Sequence, residues 1–168
     1  MSAHIKYLDK IILSEAKKLL LEQGIRGIAT RNLAQKCGIA QGTIYNYFES
    51  QEEIASKVIM SDWAEAVQKA ENRIRRARSG ADGMLAICKS TKSFFKSYQK
   101  ILESEDTKQY FREALYRHLI DEIVELEEAV FRRFPCVLEP VPYDFFAKSI
   151  LQAGIHKSVD DDEFRLVM

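Results

Sequence analysis

The stretch Thr30–Phe48, TRNLAQKCGIAQGTIYNYF, predicts two short helices joined by a tight corner. Leu33, Ala34 and Cys37 follow one another at the i, i+1, i+4 spacing that places apolar side chains on one face of a helix. Gly38 can adopt the left-handed backbone that ends a helix at little cost, so we expect the first helix to stop there. Thr30 is the expected N-cap of that helix, because its hydroxyl can accept a free backbone N–H.

The second helix of this stretch is expected to begin directly after the corner. Ile39 and Ala40 would form the corner, and Gln41, Gly42 and Thr43 would open the helix. Its apolar face is carried by Ile44, Tyr45 and Phe48. Two helices arranged in this way form a helix-turn-helix, whose second helix enters the major groove of DNA.

The residue types at the start of this second helix suit contacts to DNA bases. Gln41 can pair with adenine through two hydrogen bonds, and Thr43 suits a thymine methyl or a phosphate oxygen. Gly42 lets the backbone approach closely, and Arg31 on the preceding helix can reach a guanine. The full predicted DNA-binding set is Thr30, Arg31, Gln41, Gly42, Thr43, Tyr45, Asn46 and Tyr47. Simple roles stay open, since Thr30 could serve as a cap only and Tyr45 could belong to the core.

Charge is divided unevenly along the chain, although the 25 basic and 25 acidic residues cancel. Residues 1–102 hold 17 basic and 10 acidic groups, and residues 103–168 hold 8 and 15. Between Gly24 and Phe48 the sequence has cations and no anion, as an approach to phosphate requires. Chance segregation of charge on solvated helices is the alternative explanation.

These residues resemble the tetracycline-repressor (TetR/AcrR) family of transcriptional regulators over roughly residues 8 to 60. The matching residues are Gly24, Gly27, Thr30, Arg31, Leu33, Ala34, Gly38, Ile39, Gly42, Thr43, Ile44, Tyr45, Tyr47, Phe48, Glu52, Glu53 and Ile54. The resemblance implies a dimer that binds a palindromic operator on double-stranded DNA, most often as a repressor, and that a small effector releases. Many family members carry a lysine just after the Phe48 equivalent or three residues further on, where this chain has Glu49 and Gln51. That departure predicts weaker non-specific affinity, or compensation by Lys6, Lys57 or Arg26.

Apolar periodicity predicts helices along the rest of the chain, and no segment alternates as a strand would. We expect an all-α protein with an amino-terminal three-helix DNA-binding domain, 1–50, and a helical effector-binding and dimerisation domain, 51–168. A long fourth helix capped by Ser50, with Glu53 completing a capping box, would join them. Its cluster of arginines near residue 75 lies too far from the corner to contact DNA. The expected helices are 5–23, the helix-turn-helix pair, 51–78, 82–103, 107–134 (with one break possible), 143–154 and a short last helix from Asp160. The family resemblance implies a longer final helix, so we expect a chain that is either naturally short or truncated at this end.

The second domain is rich in aromatic residues, which can enclose an apolar pocket or form an ordinary core. The predicted pocket residues are Trp63, Cys88, Thr91, Phe94, Phe95, Tyr98, Phe111, Leu115 and His118. The resemblance implies that a small, apolar or aromatic effector binds here. Two equivalent recognition helices about 34 Å apart require a two-fold dimer. Its predicted interface residues are Phe145, Phe146, Ile150, Leu151 and Ile155.

Other classes of function find little support. The sequence contains no HExxH, P-loop, GxSxG or Glu-x-x-His pattern, so we expect no enzyme. Three widely spaced cysteines without a CxxC pattern predict reduced thiols in a cytoplasmic protein, with no metal and no cofactor. No apolar run is long enough to span a membrane. The alternative to a regulator is an interaction adaptor that keeps a helix-turn-helix without specific DNA binding.

Overall fold

The computed structural model describes residues 7–104 and 109–135, and side chains for 7–104 and 113–135. Within these ranges the chain forms helices and no strand, which confirms the predicted all-α class. The predicted helices 143–154 and beyond Asp160 lie outside the described residues. The helices are α1 (Leu8–Gln23), a 3₁₀ helix (Ile25–Ile28), α2 (Thr30–Cys37), α3 (Gln41–Tyr45), α4 (Gln51–Ile74), α5 (Gly80–Leu102) and α6 (Gln109–Arg133).

Several helix boundaries differ from the prediction. Ala29, and not Thr30, occupies the N-cap of α2, and no side chain caps that helix, so the predicted Thr30 cap is wrong. Helix α3 ends at Tyr45, three residues before Phe48. Helix α4 ends at Ile74, short of the predicted Arg78, whereas α6 runs unbroken from Gln109.

The amino end of α4 carries the predicted serine cap in altered form. The Ser50 hydroxyl accepts the backbone N–H of Glu53 at 3.1 Å, as predicted. The Glu53 carboxylate does not return to Ser50, because it accepts the backbone N–H of Glu49 at 2.6 Å. The predicted capping box is therefore displaced by one residue. The pKa of the Glu53 carboxyl lies below its ordinary value. The larger cause is the hydrogen bond from Lys57, and the second is the bond from the backbone N–H of Glu49.

The described helices belong to two compact units. The first draws on Met1–Ser61 and Lys100–Phe111, and the second on Asp62–Gln99 and Arg112–Met168. In the first unit α1 packs on the 3₁₀ helix and on α2, and α2 packs on α3. Its most deeply buried side chains include Ile12, Leu20, Ile28, Leu33 and Ile44. Burying each such side chain contributes roughly 1.5–3 kcal/mol, so this short-helix unit is stabilised by packing more than by helix propensity.

The corner between α2 and α3 is set by Gly38, which has φ +66°. This left-handed backbone lets the Ile39 N–H reach back to the Ala34 carbonyl at 3.0 Å. A bond of this reach is the mark of a Schellman motif, which satisfies carbonyls left free at a helix end. The predicted helix stop at Gly38 is confirmed.

The second unit is centred on aromatic side chains of α4 and α5. The Trp63 ring lies with its centroid 4.9 Å from that of Phe94 and 5.8 Å from that of Phe95. The Tyr98 hydroxyl donates to Asp62 at 2.8 Å. From α6, Arg133 donates to the carbonyls of Ile74 and Ala77, so its guanidinium satisfies backbone acceptors at the end of α4.

One carboxyl of α6 is buried without a partner. Glu127 is 0 % exposed, and neither of its carboxyl oxygens has a hydrogen-bond partner. A carboxylate taken out of water without compensation is costly, so the neutral acid is favoured. Burial accordingly raises the pKa of Glu127 to about 8.

The Glu127→Gln variant should remove a pH dependence of folding. Because the pKa of Glu127 is about 8 when folded and 4.5 ordinarily, the folded chain holds a proton that the unfolded chain loses between these values. The free energy of unfolding of the wild type should therefore fall by about 1 kcal/mol per pH unit over this window, and the variant should lose this slope. Urea denaturation between pH 5 and pH 8 measures both. Glu128→Gln, at an exposed neighbour, is the control, and equal slopes in the three proteins would contradict the assignment.

The Gly38→Ala variant should destabilise the first unit. Alanine at φ +66° should cost about 1–2 kcal/mol, because its Cβ crowds the following carbonyl. Gly42→Ala is the matched control, since an added Cβ there meets no atom within 4 Å and lies within helix α3. It should stabilise by up to about 1 kcal/mol through helix propensity. Chemical denaturation compares the two, and a Gly38→Ala variant as stable as Gly42→Ala would refute the role of the corner.

Candidate nucleic-acid interface

The short helix α3 has one buried face and one exposed face. Ile44 is 1 % exposed and Phe48, just beyond the helix, is 3 % exposed, so both belong to the core of the first unit. On the other face Gln41, Gly42 and Asn46 are exposed, and Tyr45 is 56 % exposed. Polar groups at the start of α3 are therefore free to meet a ligand while the apolar groups hold the helix in place.

The remaining predicted DNA-binding residues lie beside this face. Thr43 and Tyr47 are half-buried, on α3 and in the turn after it. On α2, Thr30 is half-buried and Arg31 is exposed, at the first two positions of the helix. All eight predicted residues thus fall at the amino end of α2 or on α3 and its following turn. The predicted dual role of Tyr45 in the core is not seen, because its side chain is mostly exposed.

Two amide side chains that were not predicted from the sequence form hydrogen bonds that hold the helices of this surface together. Asn32 donates to the carbonyl of Gly27 at 2.7 Å and so ties α2 to the 3₁₀ helix. Gln51, at the start of α4, donates to the carbonyl of Ile25. Gln51 occupies a place where the family often has lysine, and here it serves the packing of the first unit. Because Gln51 and Ile25 are far apart in the sequence, no local pattern could have predicted this contact.

The local charge of the surface comes from few groups. Arg31 and Lys36 of α2 and Arg26 of the 3₁₀ helix are exposed, and Glu49 lies just beyond α3. Lys57, predicted as a compensating cation, pairs with Glu53 at 2.9 Å and lies over the Phe48 ring. This pair is partly exposed, so it contributes little to stability but reduces the charge that Lys57 offers to phosphate.

The predicted effector-pocket residues are divided between core and surface. Trp63 and Phe95 are 0 % exposed, Leu115 is also buried, and Thr91 donates to the Ile87 carbonyl at 3.0 Å. By contrast the His118 side chain is 49 % exposed and lies 3.5 Å from Glu122. Cys88 is half-buried, and the Phe111 side chain lies outside the described residues.

A cleft of about 380 Å³ opens between α4 and α5, within the second unit. Of the predicted pocket residues whose side chains are described, only Phe94 and Tyr98 line it. Burial, followed by the hydrogen bond to Asp62, raises the pKa of the Tyr98 phenol above its ordinary value. The aromatic cluster is thus mainly core, and the open space beside it is lined largely by polar side chains.

The other predicted sites have simple outcomes. Arg73 donates to Ser90 at 2.9 Å, and Arg75 bonds to Asn72, so these arginines have partners in the second unit. The predicted dimer residues Phe145, Phe146, Ile150, Leu151 and Ile155 lie outside the described residues. Over the ranges that are described, no helix is both long and apolar enough to cross a bilayer, and no cluster of three metal-binding side chains occurs.

Comparison with known proteins supports this geometry. Residues 12–58 match the family model of bacterial regulatory proteins of the tetR family. No curated protein matches the chain significantly.

Among solved structures, the chain resembles the TetR-family regulator PfmR from Thermus thermophilus, with a TM-score of 0.61 and 21 % identity over 89 % of this chain and 87 % of that one. FadR from Bacillus subtilis, in complex with stearoyl-CoA, gives a TM-score of 0.68 and 17 % identity over 90 % and 84 %. AibR, in complex with isovaleryl coenzyme A and operator DNA, gives 0.59 and 16 % over 91 % and 88 %.

At these identities the structural likenesses establish the fold, while the family model covers the helix-turn-helix. The resemblance of the matching residues between Gly24 and Ile54 is thereby confirmed. Residues 12–58 of the chain therefore match the tetR family of bacterial regulatory proteins, and the chain shares its fold with solved transcription regulators of that family.

Proposed function

We propose that this protein is a ligand-responsive transcriptional repressor that binds a palindromic operator as a homodimer. The observation that carries the proposal is the exposed amino end of α3, where Gln41 and Gly42 face solvent while Ile44 is buried. An added Cβ at Gly42 would meet no protein atom within 4 Å, so a DNA backbone or base edge could approach closely. This combination suits a recognition helix in a major groove.

The exposed side chains divide into base-contacting and phosphate-contacting groups. Gln41 would pair with adenine, Arg31 with guanine, and Thr43 with a thymine methyl. Tyr45 and Tyr47 would donate phenolic hydrogens to phosphates, with support from Thr30 and Asn46. Base contacts would give sequence preference, and phosphate contacts would fix the position of the helix on the duplex.

A dimer follows from the geometry of a palindrome. Two recognition helices must lie about 34 Å apart, or a multiple of it, to meet successive major grooves on one face of DNA. A two-fold axis meets this requirement with a single self-complementary interface. We assign DNA binding to 1–50 and effector binding and dimerisation to 51–168, with Phe145, Phe146, Ile150, Leu151 and Ile155 in the interface. Such a regulator would act in the cytoplasm and would catalyse no reaction.

A small effector with an apolar or aromatic part would release the operator. Two structures with the same fold contain acyl-coenzyme A ligands, stearoyl-CoA in FadR and isovaleryl coenzyme A in AibR. In this chain Phe94 and Tyr98 of α5 line an open cleft, which gives an apolar group a place to bind. Release requires the effector to bind the DNA-free state more tightly than the operator-bound state.

Specificity should fall when either base-contacting side chain is removed. Gln41→Ala and Arg31→Ala should each cost about 1–3 kcal/mol at one base position of the selected site, because a bidentate contact is lost. Selection of bound sequences from random DNA, followed by titration of single-base variants, measures this. Gln35→Ala, an exposed glutamine of α2 outside the predicted set, is the control. Unchanged discrimination in both variants would refute these assignments.

Salt dependence separates the regulator from an adaptor that keeps a helix-turn-helix without binding DNA. The exposed Glu49 and the zero net charge favour the adaptor as the second candidate. For a regulator, the logarithm of the association constant should fall linearly with the logarithm of salt, by about 0.9 for each phosphate neutralised. Lys36→Gln should reduce that slope by about 1. Fluorescence anisotropy with random duplex DNA gives the slope, and an adaptor would give no binding to analyse.

A further inference from the structure

The cleft between α4 and α5 has the features of a small-molecule site, and it lies wholly within the second unit. The two helices run antiparallel along it, since Asp62 pairs with Tyr98 at one end and Arg73 with Ser90 at the other. We call it the α4–α5 cleft. It is lined by Asp62, Glu65, Ala66, Lys69, Arg73, Lys89, Ser90, Ser93, Phe94, Ser97 and Tyr98.

One end of the cleft is basic. Arg73 donates one N–H to Ser90, a residue only 4 % exposed, and this bond fixes the guanidinium against the wall of the cleft. A guanidinium has five N–H donors, so others remain for an oxyanion. Within the described ranges neither Arg73 nor Lys89 has a carboxylate at ion-pair distance. Lys69 lies 3.7 Å from the exposed Glu65, which is a weak pair.

The middle and the far end of the cleft differ in chemistry from the basic end. Phe94, which is 5 % exposed, and Ala66 provide an apolar floor. Beyond them Asp62 and Glu65 make the far end acidic. An anion would be repelled from the acidic end and attracted to the basic one, so the cleft would orient a ligand that carries charge at one end only.

We propose that the α4–α5 cleft binds a small amphiphile whose oxyanion group pairs with Arg73 and Lys89. The apolar part of the ligand lies over Phe94 and Ala66, and the Ser93 hydroxyl offers a further donor to the oxyanion. The inference deepens the proposed ligand response, because it gives the effector a binding site and a chemical class. It also places the ligand between α4 and α5, where it bridges the two helices.

The single tryptophan of the chain gives a direct measurement. Trp63 is buried, and its ring centroid lies 4.9 Å from that of Phe94, which lines the cleft. Titration of the full chain with hexyl phosphate, without DNA, should therefore change the Trp63 fluorescence saturably. Isothermal titration calorimetry repeats the titration with an independent signal. Inorganic phosphate and 1-hexanol, each matching one part of the probe, should bind more weakly, and hexylammonium should not compete.

Matched variants locate the binding. Arg73→Gln and Lys89→Gln should each weaken hexyl phosphate about tenfold or more, because each removes a charge-assisted hydrogen bond. Arg75→Gln removes the same charge just beyond the end of α4 but lies outside the lining, so it should bind as the wild type does. Lys89 is exposed, so its variant gives a clear answer even if the loss of the Arg73–Ser90 bond disturbs folding.

Three results would overturn the proposal: no saturable fluorescence change or heat, equal weakening in Arg75→Gln, or equal affinity for 1-hexanol. Hexanoate, tested beside hexyl phosphate, tells whether the oxyanion is a carboxylate or a phosphate. A separate titration with operator DNA keeps the two proposals distinct. If the chain binds DNA but not hexyl phosphate, the proposed repressor function stands and the proposed ligand site is refuted. If it binds hexyl phosphate but not DNA, the ligand site stands and the repressor function is refuted.

Discussion

The corner at Gly38 is the constraint on which the exposed surface of α3 depends. With only the residues Gln41–Tyr45, α3 is too short to be stable by itself and must be held by its neighbours. The left-handed backbone at Gly38 and the bond from Ile39 to Ala34 set the direction in which the chain leaves α2. Burial of Ile44 then fixes the rotation of α3. Side chains on the opposite face are thereby presented to solvent without contributing to the core.

Two amide side chains help to hold the exposed surface of α2 and α3 in position. Asn32 and Gln51 both donate amide hydrogens to carbonyls between α1 and α2, at Gly27 and Ile25. These carbonyls belong to the 3₁₀ helix Ile25–Ile28, which is too short to hold its place without contacts to its neighbours. Each amide satisfies one acceptor and joins a later helix to it. A lysine in place of Gln51 could also donate, but as a charged group it would favour solvent over this half-buried position.

The sequence was sufficient for the all-α class, the helix-turn-helix and the stop at Gly38, because these depend on local periodicity and on one glycine. It was insufficient where the outcome depends on distant partners. Thr30 has the chemistry of a cap, yet it is the first residue of α2. Ala29 takes the cap position, because it is the single residue between the 3₁₀ helix, which ends at Ile28, and α2. The Gln51 contact spans 26 residues and carries no local pattern. The DNA-binding set remains a prediction, although the structure exposes most of its members.

The aromatic residues of the second unit show why composition alone cannot separate a pocket from a core. Phe95 and Tyr98 lie at helical spacing on α5 and Trp63 lies on α4, and such aromatic residues fit both outcomes. The structure resolves it through burial, because these rings contact one another directly or through Phe94 and leave little surface to a ligand. What remains open is the cleft beside them, where the polar residues of α4 and α5 meet. A ligand there would touch the aromatic cluster only at its edge, so its recognition would depend on charge as much as on apolar contact.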